Sequence, residues 1–260
     1  MHNETLGIKL SFLGTGTSQG VPVITCECEV CHSKDPRDNR LRVSVWIQVE
    51  GKSIVIDAGP DFRYQMLRAG VKKLDALLLT HEHKDHVAGL DDIRPFNYRT
   101  KSAVEVYATI PVQEALKREY HYIFDENPYP GVPQVTLKTI TTKKFNVQGV
   151  DVMPIEVLHY MLPVLGFRIG NIAYVTDAKT ISIREKEKLK GCDVLILNAL
   201  RKKEHISHLN LDEALEWIAE LKPKRAYLTH ISHLMGKHEE VSAQLPEGVF
   251  LAYDGLTVEA

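Results

Sequence analysis

The sequence predicts an α/β fold in which helices pack outside β-sheets, and three observations support this class. Short apolar runs of strand length recur along the whole chain. Amphipathic helical patterns lie between many of these runs, and such alternation is typical of layered α/β domains. The 260-residue sequence shows no repeat, low-complexity segment or linker-like composition shift. We therefore expect a single domain over residues 1–260, a length that one hydrophobic core can serve.

The strand predictions rest on apolar runs bounded by turn residues. In chain order, the runs occupy residues 7–14, 43–50, 53–59, 76–81, 104–109, 150–159, 166–178, 192–199, 225–230 and 248–260. Gly51 and the pair Gly170-Asn171 supply turn residues for two hairpins, one between the second and third runs and one inside the seventh.

Helices are predicted over residues 60–70, 112–122, 181–191 and 210–223. Gly70 suits the end of the first helix, and Asn210 suits the N-cap of the last. The apolar stripe of that last helix consists of Leu211, Leu215, Ile218 and Leu221. Residues 124–134 contain three prolines and a glycine and are predicted to form a long loop.

The bulk composition limits the partners and the compartment. The net charge is −2 and the pI is about 6.6, so no basic field indicates nucleic acid or a membrane surface. The N-terminus lacks the pattern of a signal peptide, and no apolar run reaches the roughly 18 residues needed to cross a bilayer. We expect a cytoplasmic protein, in which clustered cysteines bind metal or act in catalysis rather than form disulfides.

The segment LLLTHEHKDHVAGL, residues 77–90, carries the strongest chemical signal. Alternate residues at a strand end point the same way, so His81 and His83 can converge on one ion. Asp85 and His86 follow where the chain turns and can face a second ion. Imidazole and carboxylate suit zinc, manganese or iron.

This segment resembles the H-x-H-x-D-H signature of the metallo-β-lactamase superfamily. The resemblance implies an αββα sandwich of two facing mixed sheets with helices outside, and a metal cleft at the sheet edges. It also implies later ligands at strand ends, and the chain offers His159, Asp177 and His230, each at the C-terminal edge of an apolar run.

The implied site holds two divalent ions, zinc or manganese. By the resemblance, His81, His83 and His159 bind one ion. Asp85, His86 and His230 bind the other, and Asp177 bridges the two. Asp57 also follows a strand, and supporting a ligand through hydrogen bonds or simply capping the strand are equally good interpretations of it.

Three further segments are similar to the PhnP-like cyclic phosphodiesterase family. They are the N-terminal stretch LSFLGTGTSQGVPVITCECEVC, the segment HISHLNLDEAL over 205–215, and the C-terminal part from LTHISH onward. The similarity implies in-line attack of metal-bound hydroxide on a small phosphodiester, such as a cyclic ribose or nucleotide phosphate. It implies His208, and not His205, as the general acid; Asp85 is counted with His208 as catalytic. Residues 120–134 have no counterpart in that family, and their aromatic residues would either stack on a substrate or form a small satellite core.

The stretch TCECEVCH places Cys26, Cys28 and Cys31 within six residues. Three thiolates do not complete a tetrahedral zinc site. His32 is adjacent to Cys31, and neighbouring residues in an extended chain point apart. The family resemblance instead implies His233 as the fourth ligand of one structural zinc.

Alternative functions remain at this stage. A transfer-RNA 3′ processing-type endonuclease has the same metal motif but needs a basic face, which the charge does not supply. A thioester or lactam hydrolase of the same fold leaves the cysteines and His208 unexplained. A non-enzymatic metal or redox sensor built on the cysteines is a third alternative. A homodimer is compatible with the family, although no residue indicates one.

Overall fold

The computed structural model describes residues 7–260, and two β-sheets form its centre. The strands are β1 Lys9–Gly14, β2 Ser44–Val49, β3 Lys52–Ile56, β4 Ala76–Leu78, β5 Val104–Ala108, β6 Val135–Thr139, β7 Phe145–Val147, β8 Val150–His159, β9 Leu162–Ile169, β10 Ile172–Val175, β11 Thr180–Ile181, β12 Val194–Asn198, β13 Arg225–Thr229, β14 Val249–Leu251 and β15 Thr257–Glu259. The helices are α1 Phe62–Ala69, α2 Lys84–Val87, α3 Arg94–Thr100, α4 Ile110–Glu119, α5 Ile183–Glu187, α6 Leu211–Leu221 and α7 His238–Ser242.

Both sheets are mixed. The first has the order β15-β1-β2-β3-β4-β5-β6, antiparallel as far as β3 and parallel from β3 to β6. The second has the order β11-β8-β9-β10-β12-β13-β14, with β7 paired to β8, and it is parallel from β10 onward. The carboxyl ends of parallel strands meet at one edge of a sheet, so both sheets bring several strand ends to an edge where loops can meet.

Three apolar cores separate four layers. The central core joins the facing sheets and contains Phe12 and Ile47 from the first and Phe167 and Tyr174 from the second. A second core lies between the second sheet and helices that include α6. A third lies between the first sheet and helices that include α1 and α4. The αββα sandwich expected from the sequence is therefore confirmed.

The local predictions succeed where the pattern is strong. Gly70 ends α1 in the left-handed conformation at φ 66°, and the Asn210 side chain accepts from the Glu213 N–H to cap α6, as predicted. The run 248–260 is not one strand, because β14 lies in the second sheet and β15 in the first. Within the described part of the chain, no helix is long and apolar enough to cross a membrane.

Residues 124–134 are irregular, as predicted, whereas the preceding helix α4 ends at Glu119 and not at residue 122. Tyr120 and Phe124 pack against the core beneath α1 and α4, and the Tyr120 hydroxyl donates to the Val87 carbonyl at 2.8 Å. Tyr122 donates to Asp91, whereas Tyr129 is 78% exposed. Two of the four aromatic side chains therefore extend an existing core, and Tyr129 does not.

Candidate metal centre

The loop after β4 carries four of the side chains that the sequence predicts as metal ligands. His81 lies three residues beyond β4, His83 precedes α2, and Asp85 and His86 lie within that short helix. His81 and His86 are fully buried. The Nε2 atom of His81 lies 3.0 Å from Nδ1 of His83, and Nε2 of His86 lies 3.3 Å from an Asp85 oxygen.

Three strand ends of the second sheet deliver the remaining predicted side chains to the same place. His159 ends β8, Asp177 follows β10, and His230 follows β13 directly. One Asp177 oxygen lies 3.3 Å from His86 Nε2, and the other lies 3.2 Å from His230 Nε2. The His159 ring lies 5.2 Å from the His83 ring, centroid to centroid. All seven side chains predicted for the two-ion site thus lie together, around Asp177.

Backbone strain is concentrated at this edge. Asp57, Asp177 and His230 have φ values of 65°, 55° and 55°, in the left-handed region that residues other than glycine seldom adopt. Such strain persists only where the surrounding structure holds it, and it clusters at functional sites.

Buried nitrogen atoms without partners provide a test of whether metal ions fit. His86 Nε2 and both ring nitrogens of His230 are buried and lack a hydrogen-bond partner within residues 7–260. A buried polar atom without a partner is costly, and a metal ion would satisfy such a lone pair. Imidazole nitrogen and carboxylate oxygen are also the donors that zinc and manganese accept. The residues present therefore fit a site for divalent cations.

Asp57 forms hydrogen bonds with the loop that follows β4 and carries His81 and His86. Its carboxylate is fully buried and accepts hydrogen bonds from the Thr80 N–H at 2.9 Å and the Thr80 hydroxyl at 3.0 Å. The other contact joins an Asp57 oxygen to His86 Nδ1 at 2.7 Å. Because Nδ1 donates to Asp57, the lone pair of His86 is on Nε2, which faces Asp85 and Asp177. This geometry favours the supporting role over a simple strand cap.

The carboxylates and histidines of this cluster shift one another's pKa values. Burial opposes the charged form of His86, but Asp177, Asp57 and Asp85 raise its pKa well above the usual value. Burial likewise opposes ionisation of Asp85, yet His86 and His230 hold its pKa below the usual value. Burial and the proximity of His86 lower the pKa of His81, which favours the neutral imidazole that a metal requires.

His208 lies at the border of this cluster. Its ring lies 4.4 Å from that of His159 and 4.8 Å from that of His230. Its Nδ1 is 3.7 Å from an Asp177 oxygen and forms no hydrogen bond with any residue from 7 to 260. Burial and the neighbouring His230 lower the pKa of His208 to about 2. His159, Asp177 and His208 also lie close enough together to share an ion, so this geometry is compatible with a ligand role as well as an acid role.

The cysteine cluster forms a second group of ligand atoms. Nδ1 of His233 lies 3.2 Å from the sulfur of Cys26, 3.4 Å from that of Cys28 and 3.5 Å from that of Cys31. His32 is exposed, and its ring faces the Cys28 carbonyl oxygen instead of the sulfurs. Three sulfurs and one imidazole nitrogen match the donor set of a closed zinc site.

Two supporting atoms were missed from the sequence. The Thr80 hydroxyl lies 2.9 Å from His81 Nδ1, and the Ser207 carbonyl accepts from His159 Nδ1 at 2.9 Å. A hydroxyl residue directly before the first motif histidine was a signal for Thr80. Ser207 acts through its backbone, so its residue type carried no signal.

Comparison with known proteins identifies the family to which the chain is similar. The pattern of the family described as "Beta-lactamase superfamily domain" matches residues 52–231. The crystal structure of a diphosphatase from the PhnP family superposes with a TM-score of 0.92 at 42% identity, over 98% of each chain. The structure of zinc-bound PqqB from Methylobacterium extorquens superposes with a TM-score of 0.79 at 19% identity, over 97% of this chain and all of that one.

An octanoyltransferase of Porphyromonas gingivalis is 44% identical over 247 residues. These residues are 94% of this chain but 50% of that protein, so the chain spans about half the length of that relative. Its name thus describes a protein with a further portion that this alignment does not include.

Proposed function

Because the chain belongs to the beta-lactamase superfamily and, within it, to the PhnP family, we propose that it is a metal-dependent hydrolase of small phosphodiesters. The observation that carries this proposal is the proximity of the seven predicted ligand side chains to one another, with His208 at the border of the cluster. The similarity to a PhnP-family diphosphatase at 42% identity supports hydrolysis at phosphorus. Diphosphatase activity itself is stated of that relative alone.

The proposed ligand sets are those that the family resemblance implies. His81, His83 and His159 would hold one divalent cation. Asp85, His86 and His230 would hold another, with Asp177 between them. Two such cations would lower the pKa of a water molecule and neutralise the phosphate oxygens. Asp57 accepts from Nδ1 of His86, and the Ser207 carbonyl accepts from Nδ1 of His159. In each ring, Nε2 is therefore the nitrogen that would bind an ion.

His208 is the proposed source of the proton for the leaving oxygen. Since its pKa is lowered to about 2 in the free site, its ring is neutral at pH 7 before substrate binds. A bound diester places a negative charge beside the ring and favours the imidazolium form. The acid role therefore requires that His208 takes up its proton with the substrate, and a positioned acid contributes roughly 10²–10⁴-fold in rate.

A substrate panel tests the proposal. The purified protein, supplied with Zn²⁺ or Mn²⁺, is expected to hydrolyse bis(p-nitrophenyl) phosphate and 2′,3′-cyclic nucleotides. Asp177→Asn should abolish turnover of both. Tyr129→Phe, a change at an exposed residue, is the matched control. Absence of turnover of every phosphodiester in the presence of either metal would refute the proposal.

The acid role has a separate test. His208→Ala should lose more rate with an alkyl leaving group, which needs protonation, than with p-nitrophenolate, which does not. Equal losses for the two esters would exclude the acid role and favour His208 as a metal ligand, and elemental analysis of the variant would then show reduced metal content.

Thioester hydrolysis is a second candidate, favoured by the name of the Porphyromonas gingivalis relative. Octanoyl-CoA belongs in the same panel for this reason. Turnover of this thioester without turnover of any phosphodiester would replace the first candidate with the second.

A further inference from the structure

A second histidine, His205, lies beside His208 and has no role in the proposed ligand sets or the acid step. The two ring centroids are 5.2 Å apart. His208 is buried, whereas His205 is partly exposed, so His205 lies on the solvent side of the pair. At this separation, a molecule that contacts His208 also lies within reach of His205.

The hydrogen bonds of His205 determine which nitrogen carries its proton. The backbone N–H of Ser207 lies 3.3 Å from His205 Nδ1. A backbone N–H can only donate, so Nδ1 accepts, and a neutral ring then carries its proton on Nε2. Burial and the nearby Arg201 lower the pKa of His205, which keeps the ring neutral near pH 7. His205 thus presents one N–H donor at Nε2, which forms no hydrogen bond with the described residues.

The loop that carries His205 is built to hold it in place. The Arg201 guanidinium folds back and donates to the carbonyls of Lys203 at 3.2 Å and Glu204 at 2.7 Å. The Ser207 carbonyl is fixed by His159 Nδ1, and the loop is closed by the Leu209 carbonyl, which accepts from the N–H of residue 200. A donor on a preorganised loop loses little entropy when it binds a ligand.

We propose that His205 is a specificity-determining residue whose Nε2–H donates a hydrogen bond to an oxygen of the leaving group, next to the oxygen that His208 protonates. The inference rests on the proposed function and adds a feature of the substrate to it. Leaving groups with a second oxygen near the scissile bond, as in a sugar, gain this contact. Simple alkyl or aryl leaving groups do not. One neutral hydrogen bond of this kind corresponds to a preference of roughly tenfold at most.

Two amide substitutions separate this role from a structural one. In His205→Asn, the side-chain oxygen occupies the position of Nδ1 and still accepts from the Ser207 N–H, but the distal donor is lost. In His205→Gln, the amide N–H lies near the position of Nε2, but the contact with Ser207 is lost. Lys203→Ala is the matched control, because Lys203 lies in the same loop with an exposed side chain and only its backbone carbonyl contacts Arg201.

The test compares 2′,3′-cyclic AMP, which has a sugar leaving group, with methyl p-nitrophenyl phosphate, which has none. His205→Asn should lose roughly tenfold in kcat/KM on the cyclic nucleotide and stay within about twofold of wild type on the simple ester. His205→Gln and Lys203→Ala should stay within about twofold to threefold on both esters. Binding of the product adenosine 3′-monophosphate, measured by calorimetry, should weaken in the Asn variant alone.

The reverse pattern, with the Gln variant impaired and the Asn variant normal, would overturn the inference and leave His205 a structural role. Equal losses on both esters would overturn it too, and elemental analysis would show whether His159 had lost its metal. If the wild type hydrolyses neither ester, the proposed function fails and this inference fails with it. An active wild type with the wrong variant pattern refutes the inference alone.

Discussion

Substitution of Asp57 by asparagine tests how this centre selects the metal-binding nitrogen of His86. The carboxylate accepts from the Thr80 N–H at 2.9 Å and lies 2.7 Å from His86 Nδ1. Asparagine can keep the acceptor for Thr80, but its amide group then directs an N–H at Nδ1. The imidazole must place its own proton on Nε2, the atom that faces Asp85 and Asp177. Asparagine also tolerates the left-handed φ of 65°, so it adds little backbone strain.

The expected loss is in metal affinity more than in stability. Changes to the hydrogen-bond partner of a ligating histidine typically weaken metal binding 10–100-fold, or about 1.4–2.7 kcal/mol. Asp57→Ala should also destabilise the metal-free fold, because the Thr80 N–H and the His86 Nδ1–H would both lose a buried acceptor. At 1–3 kcal/mol for each orphaned donor, the sum is about 2–6 kcal/mol.

The assay is metal competition with a chromophoric chelator, combined with urea unfolding of the metal-free protein. Asp61→Asn is the matched control, because Asp61 lies in the same loop but pairs with Arg42. Asp57→Asn should weaken one ion and leave the other near wild-type affinity. Wild-type affinity for both ions, or equal weakening of both, would refute the assignment of Asp57 to His86.

Three further predictions concern other parts of the protein. Cys28→Ala should remove about one zinc per chain in elemental analysis, while His32→Ala should remove none; the same loss in both would refute the proposed fourth ligand. Gly59→Ala should lower metal content and destabilise the protein by roughly 1–3 kcal/mol in urea unfolding, because the added Cβ would lie 2.0 Å from the Asp85 carbonyl oxygen; normal metal content would contradict it. Hydrogen bonds from the Arg37 guanidinium lower the pKa of Asp35 to about 2. The contribution of this pair to folding stability is therefore present above about pH 4 and is lost as the pH falls towards 2. Since this pair is partly exposed, Asp35→Asn should cost less than about 1 kcal/mol at pH 7 and nothing below pH 2, measured as the stability difference from wild type.

The metal centre was largely predictable from the sequence for a physical reason. A polar side chain directly after a buried apolar run must emerge at a sheet edge, and parallel strands bring their carboxyl ends to the same edge. His81 was predicted from the local motif, whereas His159, Asp177 and His230 were predicted from the family resemblance. The position of all four at strand ends explains why they can meet, but it does not specify which strands lie next to each other. The two-sheet arrangement came from the family resemblance, since no local pattern specifies which strands pair.

Other features left little trace in the sequence. The helices α2, α3 and α7 have four to seven residues, too few for a helical period to be read. Strand β6 has five residues and no fully buried position, so the alternation of Val135 and Leu137 with polar residues is too short to indicate a strand. The left-handed φ of Asp57 is imposed by tertiary contacts, and contacts made by a backbone carbonyl, such as that of Ser207, do not depend on residue type.

The candidate two-ion site and the cysteine cluster are connected through one short segment of the chain. His230 and His233 are three residues apart, and Ile231 between them is buried and paired with the N-terminal loop at Gly16. The N–H of Ile231 donates to the Thr15 carbonyl at 2.8 Å, and the Thr17 N–H donates back to the Ile231 carbonyl at 3.1 Å. The sulfurs that face His233 come from the continuation of this same N-terminal loop. A zinc ion held by the three cysteines and His233 would therefore join the two segments just beyond this contact and would help to keep His230 beside Asp177.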